Sequence, residues 1–190
     1  MAQLVLASAS PRRRELLDQI AVQYTCAPQD IDESVLDGES AYAYVERLAR
    51  EKAQSGAQQS PLPVLGSDTC VVLNNQILGK PTTTEDAFAM LSSLSGQTHQ
   101  VLTGIAICKA GECYSQVVST EVKFIPLSSE QIEAYIATQE PMDKAGAYGI
   151  QGKAAVFIES ISGSYSNVVG LPLTETAQLL HRFNVPIWSS

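Results

Sequence analysis

Apolar and polar positions alternate along this chain in two rhythms. Leu4-Val5-Leu6-Ala7 is a continuous apolar run and predicts a buried strand over residues 3–7. Ser10-Pro11 then opens a helix over about 11–19, with Ser10 as its N-cap and Pro11 in the first helical position. Residues 23–27 predict a second strand, and 28–34 an acidic loop. Ser40 caps a helix running to about Ser55, with Ala41, Val45, Leu48 and Ala49 on one stripe and Lys52 falling on the same stripe. A Gln-, Ser-, Gly- and Pro-rich linker covers 56–63. Val64 to Asp68 predicts a short core strand ending in a carboxylate, and Cys70–Leu73 and Gln76–Leu78 flank Asn74-Asn75 as a hairpin. Thr84 is expected to cap a helix that Gly96 ends, and residues 98–108 and 113–125 to pair across Ala110-Gly111. Ser128-Ser129-Glu130-Gln131 is a capping box, Ala154 to Ile161 a strand, and Thr174 the start of a last helix that stops before Pro186. Strand–helix alternation followed by hairpins predicts an α/β fold: a mixed twisted sheet flanked by helices. The elements interleave, so residues 1–190 are expected to form one domain with a smaller lobe around 85–150 and a ligand cleft between the two lobes.

Charge narrows the function. The 190 residues carry 12 Lys and Arg against 20 Asp and Glu, a net charge of −8, which opposes a general nucleic-acid binder. An acidic protein that holds a polyanion must gather its few cations in one place or use a metal ion. No apolar run approaches the ~18–20 residues of a membrane span, and no targeting segment is expected ahead of the first strand. A cytoplasmic protein is therefore expected. Cys26, Cys70, Cys108 and Cys113 show no C-x-x-C pair and no His cluster, so zinc is not expected and reduced thiols are.

Candidate chemistry begins with Arg12, Arg13 and Arg14, which crowd the positive end of the helix dipole. A docked anion would resolve that conflict, held by serine hydroxyls, guanidinium forks and backbone N–H groups. Ordinary solvated arginines are the alternative. Asp68 stands at the carboxyl end of a strand, where α/β sheets bind ligands; it can serve as a base or metal ligand, or only close an Asx-turn. Lys52 on its apolar stripe either snorkels or meets an anion. Lys80, between Gly79 and Pro81, is a surface charge or a fixed cation aimed at phosphate. Glu33 lies in the acidic loop, either solvated or facing Asp68. The glycine-rich segment 143–153 reads as an extended ligand-clasping loop whose Gln151 offers one donor and one acceptor to a base edge. A second such loop covers 162–172, where Ser164 and Asn167 bind ligand or satisfy backbone.

Eight segments, taken together, resemble the Maf family of nucleoside triphosphate pyrophosphatases. They are Leu-Ala-Ser-Ala-Ser-Pro-Arg-Arg at 6–13, Asp-Glu at 32–33, Leu-Ala-Arg-Glu-Lys-Ala at 48–53 and Gly-Ser-Asp-Thr at 66–69. Leu-Gly-Lys-Pro at 78–81, Leu-Ser-Gly-Gln-Thr-His at 94–99, Asp-Lys-Ala-Gly-Ala-Tyr-Gly-Ile-Gln-Gly at 143–152 and Gly-Ser-Tyr-Ser-Asn-Val-Val-Gly-Leu-Pro at 163–172 complete the set. Cys70 departs from the aliphatic residue expected there. The resemblance implies hydrolysis of a nucleoside triphosphate to the monophosphate and pyrophosphate with a divalent cation (Mg²⁺, Mn²⁺ or Co²⁺). It implies Asp68 as proton acceptor, with Glu33, Lys52 and Lys80 about the reacting phosphates. Ser8, Arg12, Arg13, Thr69 and Gln151 would bind substrate, and Arg12, Thr69 and Gln151 would separate subfamilies. Glu33 and Asp68 are the implied metal ligands. The loop ending in Gln151 resembles the branch acting on dTTP and UTP. A homodimer is the implied assembly. The competing function is a non-catalytic nucleotide-binding regulator, which would keep no turnover for Asp68→Asn to remove.

Overall fold

The computed structural model describes residues 1–189. A seven-stranded sheet runs in the order β2-β1-β3-β5-β6-β7, with β4 paired to β3 off that path. Its strands are β1 (Leu4–Leu6), β2 (Tyr24–Cys26), β3 (Val64–Leu73), β4 (Gln76–Leu78), β5 (Thr98–Lys109), β6 (Glu112–Phe124) and β7 (Ile158–Ser162). The helices are α1 (Pro11–Gln19), α2 (Ala41–Ala57), α3 (Thr84–Leu94), α4 (Ser129–Ala137), α5 (Tyr165–Val169) and α6 (Leu173–Arg182). The mixed α/β sheet with flanking helices is the expected fold class. No helix among the described residues is long and apolar enough to cross a membrane.

The chain divides into two compact units. Unit 1 comprises Met1–Asp68, Thr103–Val118 and the chain from Gly170 onward; unit 2 comprises Thr69–Leu102 and Ser119–Val169.

In unit 1, β1 runs parallel to both β2 and β3, with Leu4 opposite Tyr24 and Val5 opposite Val64. Parallel strands need a crossover, and α1 and α2 supply the two. Leu4 and Leu6 are fully buried, as expected of a strand whose two faces are both covered. Two glycines set how closely α2 packs. A Cβ on Gly66 of β3 would collide with the Ala49 carbonyl and lie 2.7 Å from the Ala53 nitrogen. A Cβ on Gly104 of β5 would collide with the Val45 carbonyl and lie 2.6 Å from its carbon. The backbone of α2 thus rests directly on two strands, and Ala49 and Ala53 pack with Ala106 and Cys108 in a core of small residues.

In unit 2, Asn74 and Asn75 both take positive φ (50° and 64°) in the turn between β3 and β4, the pairing expected of a tight hairpin. Phe124, Leu91, Leu94, Ile132, Tyr135, Tyr148 and Phe157 belong to its apolar core. Ser128 and Gln131 form the expected reciprocal capping box of α4.

Several local expectations change. Thr83, not Thr84, caps α3, because its hydroxyl accepts the Asp86 N–H. The strand expected from Ala154 begins only at Ile158; Lys153–Phe157 is a 3₁₀ turn, because its N–H groups find acceptors in the preceding segment. The segment 143–153 holds short 3₁₀ turns around Gly146 at φ 70°. Part of the second glycine-rich loop is α5, and Asn167 is buried within it, its amide donating to the Val101 carbonyl and the Thr120 hydroxyl. The cysteines are not all reduced: Cys108 and Cys113 face each other across the β5–β6 hairpin and are joined as a disulfide, while Cys26 and Cys70 remain thiols. Helix α6 begins at Leu173, one residue before the expected Thr174.

Candidate active site

The first turn of α1 is built to hold Arg13 in place. The Ser10 hydroxyl accepts the Arg13 N–H at 3.4 Å, and the Ser8 hydroxyl accepts both the Ser10 N–H and the Arg13 Nη1–H at 3.2 Å. Arg13 Nε donates to the Gly170 carbonyl at 2.8 Å, and the buried Ser67 hydroxyl donates to the same carbonyl at 3.3 Å. Arg14 is exposed, whereas Arg12 and Arg13 are half-buried, so the three arginines are not equivalent. Burial pulls the Arg13 pKa down; the Asp68 carboxylate draws it back up, and Arg12 pushes it down again. Those interactions place Arg12, Arg13 and Asp68 in one electrostatic neighbourhood.

The centre of that neighbourhood is Lys52. Its ammonium lies 2.9 Å from Asp68 Oδ1 and 2.9 Å from Glu33 Oε1. The Lys52 side chain is 9% exposed and that of Asp68 12%, whereas Glu33 is 53% exposed. The sequence explains the placement. Gly66 and Asp68 are two apart on β3 and share a face, and Lys52 is one turn beyond Ala49, which Gly66 admits. Lys52 therefore meets an anion rather than snorkelling to water. Burial pushes the Asp68 carboxyl above its ordinary pKa, while Lys52 and Arg13 hold it down and the nearby Glu33 charge adds to the rise.

Glu33 is held from its backbone. The Tyr44 hydroxyl donates to the Glu33 carbonyl at 2.8 Å, and Arg47 Nη2 donates to the Ser34 carbonyl at 3.0 Å. Arg47 also pairs with Glu39 at 2.6 Å, which pulls the Glu39 carboxyl down to about 2. Asp32 turns back on Ser34. The acidic loop is thus fastened to one face of α2. Sequence reasoning missed Tyr44, Arg47, Glu39 and the Gly170 carbonyl, because each acts through a partner distant along the chain and no spacing announces it. Gly66 and Gly104 could have been noticed as glycines inside strand patterns, a sign of close backbone approach.

Thr69, Lys80 and Gln151 belong to unit 2. Thr69 is half-buried on β3; Lys80 and Gln151 are exposed. The turn before Lys80 is tied to the glycine-rich segment, since the Gly146 N–H donates to the Gly79 carbonyl at 3.0 Å. His99, fully buried in the same unit, bonds through Nε2 to the Tyr148 hydroxyl at 2.6 Å. Tyr148 immediately precedes the turn that carries Gln151. Asn167, a candidate ligand-binding residue, is spent on Val101 and Thr120 instead.

Comparison with known proteins decides the family. The model for the Maf-like protein family matches residues 3–183 of this chain. The chain belongs to the Maf family. Similar proteins cover 96–100% of its length. A protein of Pectobacterium atrosepticum named dTTP/UTP pyrophosphatase is 53% identical over 185 residues, covering 96% of this chain and 94% of that one. Proteins of the same name from Alcanivorax borkumensis and Symbiobacterium thermophilum are each 50% identical, over 188 and 190 residues, with 97% of both chains covered in the first and 100% and 98% in the second. The HAM1 protein of Coxiella burnetii shares the fold, with a TM-score of 0.53 at 18% identity over 96% of this chain and 100% of that one.

Proposed function

We propose that this Maf-family protein hydrolyses dTTP and UTP to the nucleoside monophosphate and pyrophosphate. The observation that carries the reading is the Lys52 ammonium held between Asp68 and Glu33, in the same electrostatic neighbourhood as Arg13 and Arg12. That constellation occurs in a chain half identical, over its full length, to proteins named for this activity.

The chemistry follows from the side chains. The triphosphate needs cations in fixed positions, and Arg13 is fixed by Ser8 and Gly170 before any ligand arrives. Arg12 and Ser8 complete the anion-binding end of α1. Asp68 accepts the proton of a water that attacks at the α–β phosphate bridge. The water oxygen bonds to the α-phosphorus, the bond from that phosphorus to the bridging oxygen breaks, and pyrophosphate leaves with the bond's electron pair. Lys52 donates to Oδ1 of this carboxylate. Placing a base at its target contributes about 10²–10⁴-fold in rate, and fixed cations facing the developing charge contribute most of the remainder. For the base, the Gln151 amide matches the O4 acceptor and N3–H donor that uracil and thymine share.

The two carboxylates also fit a small hard cation such as Mg²⁺ or Mn²⁺. Such an ion takes one or two protein carboxylates and completes its shell with substrate phosphates and water. Asp68 and Glu33 are the residues that would hold it, and it would supply charge neutralisation on the phosphates.

The test is a panel of nucleoside triphosphates with Mg²⁺ or Mn²⁺, scoring pyrophosphate against orthophosphate. Pyrophosphate from dTTP and UTP, lost in Asp68→Asn, is the expected result. Orthophosphate alone, or nucleotide binding with no turnover, refutes it.

A further inference from the structure

Gln151 is exposed, but the backbone that carries it is clamped on both sides. Gly149 to Gly152 form a tight turn closed by the Gly152 N–H donating to the Gly149 carbonyl at 3.1 Å. A Cβ on Gly149 would lie 2.8 Å from Cε of Lys144. The Lys144 ammonium is itself fixed, donating to the Glu140 carbonyl at 2.8 Å and to Asp143 Oδ1 at 2.7 Å. On the other side, a Cβ on Gly152 would collide with the Glu140 carboxylate.

That carboxylate accepts the Lys153 N–H at 2.9 and 3.1 Å on its two oxygens and the Tyr135 O–H at 3.0 Å. It caps the 3₁₀ turn Lys153–Phe157, whose N-cap is Gly152 and which no side-chain cap from that residue serves. Burial works to raise the Glu140 carboxyl, yet the Lys153 N–H and the Tyr135 hydroxyl, with Lys144 behind them, hold it below the usual glutamate range. Nothing in the reaction chemistry uses Glu140. Its carboxylate bonds instead to the Lys153 N–H, two residues after Gln151, and to the Tyr135 hydroxyl of α4.

We propose that Glu140, assisted by Lys144, is a positioning residue that sets nucleobase choice by holding the Gly149–Gly152 turn, so that the Gln151 amide is presented in one orientation. This rests on the reading of Gln151 as the base-recognising residue. A neutral hydrogen bond nets about 0.5–1.5 kcal/mol, so an amide swung out of register forfeits up to about tenfold in discrimination.

The experiment measures kcat and KM for UTP and CTP in the wild type, Gln151→Ala, Glu140→Gln and Gly152→Ala. Glu140→Gln replaces one acceptor oxygen by an N–H₂ group facing the Lys153 N–H; Gly152→Ala displaces the carboxylate sterically and leaves its charge. Either variant is expected to lower the UTP-to-CTP ratio of kcat/KM by about tenfold, through a higher KM for UTP. A fall equal for UTP and CTP is a general structural loss and overturns the proposal. So does an unchanged ratio in both variants when Gln151→Ala lowers it; the Gln151 reading then survives alone. If Gln151→Ala leaves the ratio intact, the Gln151 reading is what fails, and the proposal falls with it. Amide exchange in the unmodified protein decides the matter should a variant not fold. The Gly152 and Lys153 N–H groups should be strongly protected, and exchange at free-peptide rates refutes the clamp.

Discussion

Lowering the pH should weaken this fold through a single buried imidazole. His99 is 1% exposed, and its neighbours are the Tyr148 hydroxyl at 2.6 Å and the Phe124 ring, edge-on at 5.1 Å between centroids. Among the described residues no carboxylate offsets its desolvation, and burial alone pulls its pKa down to about 4. The Tyr148 hydroxyl, which burial pushes far above its ordinary value, stays protonated and supplies no compensating charge. The sign follows from linkage. In the unfolded chain an ordinary histidine binds its proton near pH 6.5, so between about 6.5 and 4 the unfolded state holds more protons and stability falls as pH falls. Integrated from pH 7 to pH 5, the loss is about 2 kcal/mol. For a chain of this size that corresponds to a fall in Tm of about 4–8 °C. The assay is urea unfolding followed by far-UV circular dichroism at the two pH values, for the wild type and His99→Gln. Carboxylates held low, such as Glu39, also lose stability on acidification, but they do so equally in both proteins. The variant should therefore lose about 2 kcal/mol less than the wild type. Equal losses, or a His99 ring that titrates near pH 6.5 by NMR in the folded protein, would refute the reasoning. The other histidine, His181, is exposed at the end of α6, so its signal is distinguishable.

Asp68→Asn should reduce turnover by about 10²–10⁴-fold without lowering Tm: burial disfavours the Asp68 charge, so a neutral isostere relieves that cost while Glu33 still pairs with Lys52. A melting point that falls along with activity would show that the carboxylate is structural. Gly66→Ala drives a methyl group into the Ala49 carbonyl, and should cost about 1–3 kcal/mol and lower turnover by moving Lys52 away from Asp68; unchanged stability in urea unfolding would contradict the close packing of α2. Tyr44→Phe removes the O–H that holds the Glu33 carbonyl, and should lower kcat/KM several-fold with Tm shifted by no more than about 2–4 °C, as read by steady-state kinetics and calorimetry. Mg²⁺ alone should leave Tm nearly unchanged, because the Lys52 ammonium already lies between the two carboxylates, whereas Mg²⁺ with a non-hydrolysable dTTP analogue should raise it. A large shift from the metal alone would refute that arrangement.

Much of this protein is legible residue by residue. The apolar run Leu4–Leu6, the Ser10-Pro11 start, the Ser128–Gln131 box and the Asn74-Asn75 turn each carry their own local instruction, and each forms as read. Lys52 on an apolar stripe left snorkelling and an anionic partner both open, and the fold supplied the partner. The misreadings are where a local pattern met a distant partner. Residues 153–157 are apolar enough for a strand, but the Glu140 carboxylate takes the Lys153 N–H and turns the backbone into 3₁₀ geometry. Cys108 and Cys113 carry no motif spacing, and only the hairpin register sets them opposite each other. Asn167 could bind ligand or satisfy backbone by its sequence, and its bonds to Val101 and Thr120 show the second.

The sequence by itself determined the rhythm of strands and helices, the family, and which residue types were available for phosphate chemistry. Only the tertiary structure decided that Lys52 joins Asp68 to Glu33, that Arg13 rather than Arg14 is bound back into the protein, and that Tyr44 and Arg47 fasten the acidic loop. The physical reason is range. Propensities, caps and turns act over a few residues and are written locally, whereas ion pairs and desolvation depend on which distant groups the packed backbone brings within a few ångströms.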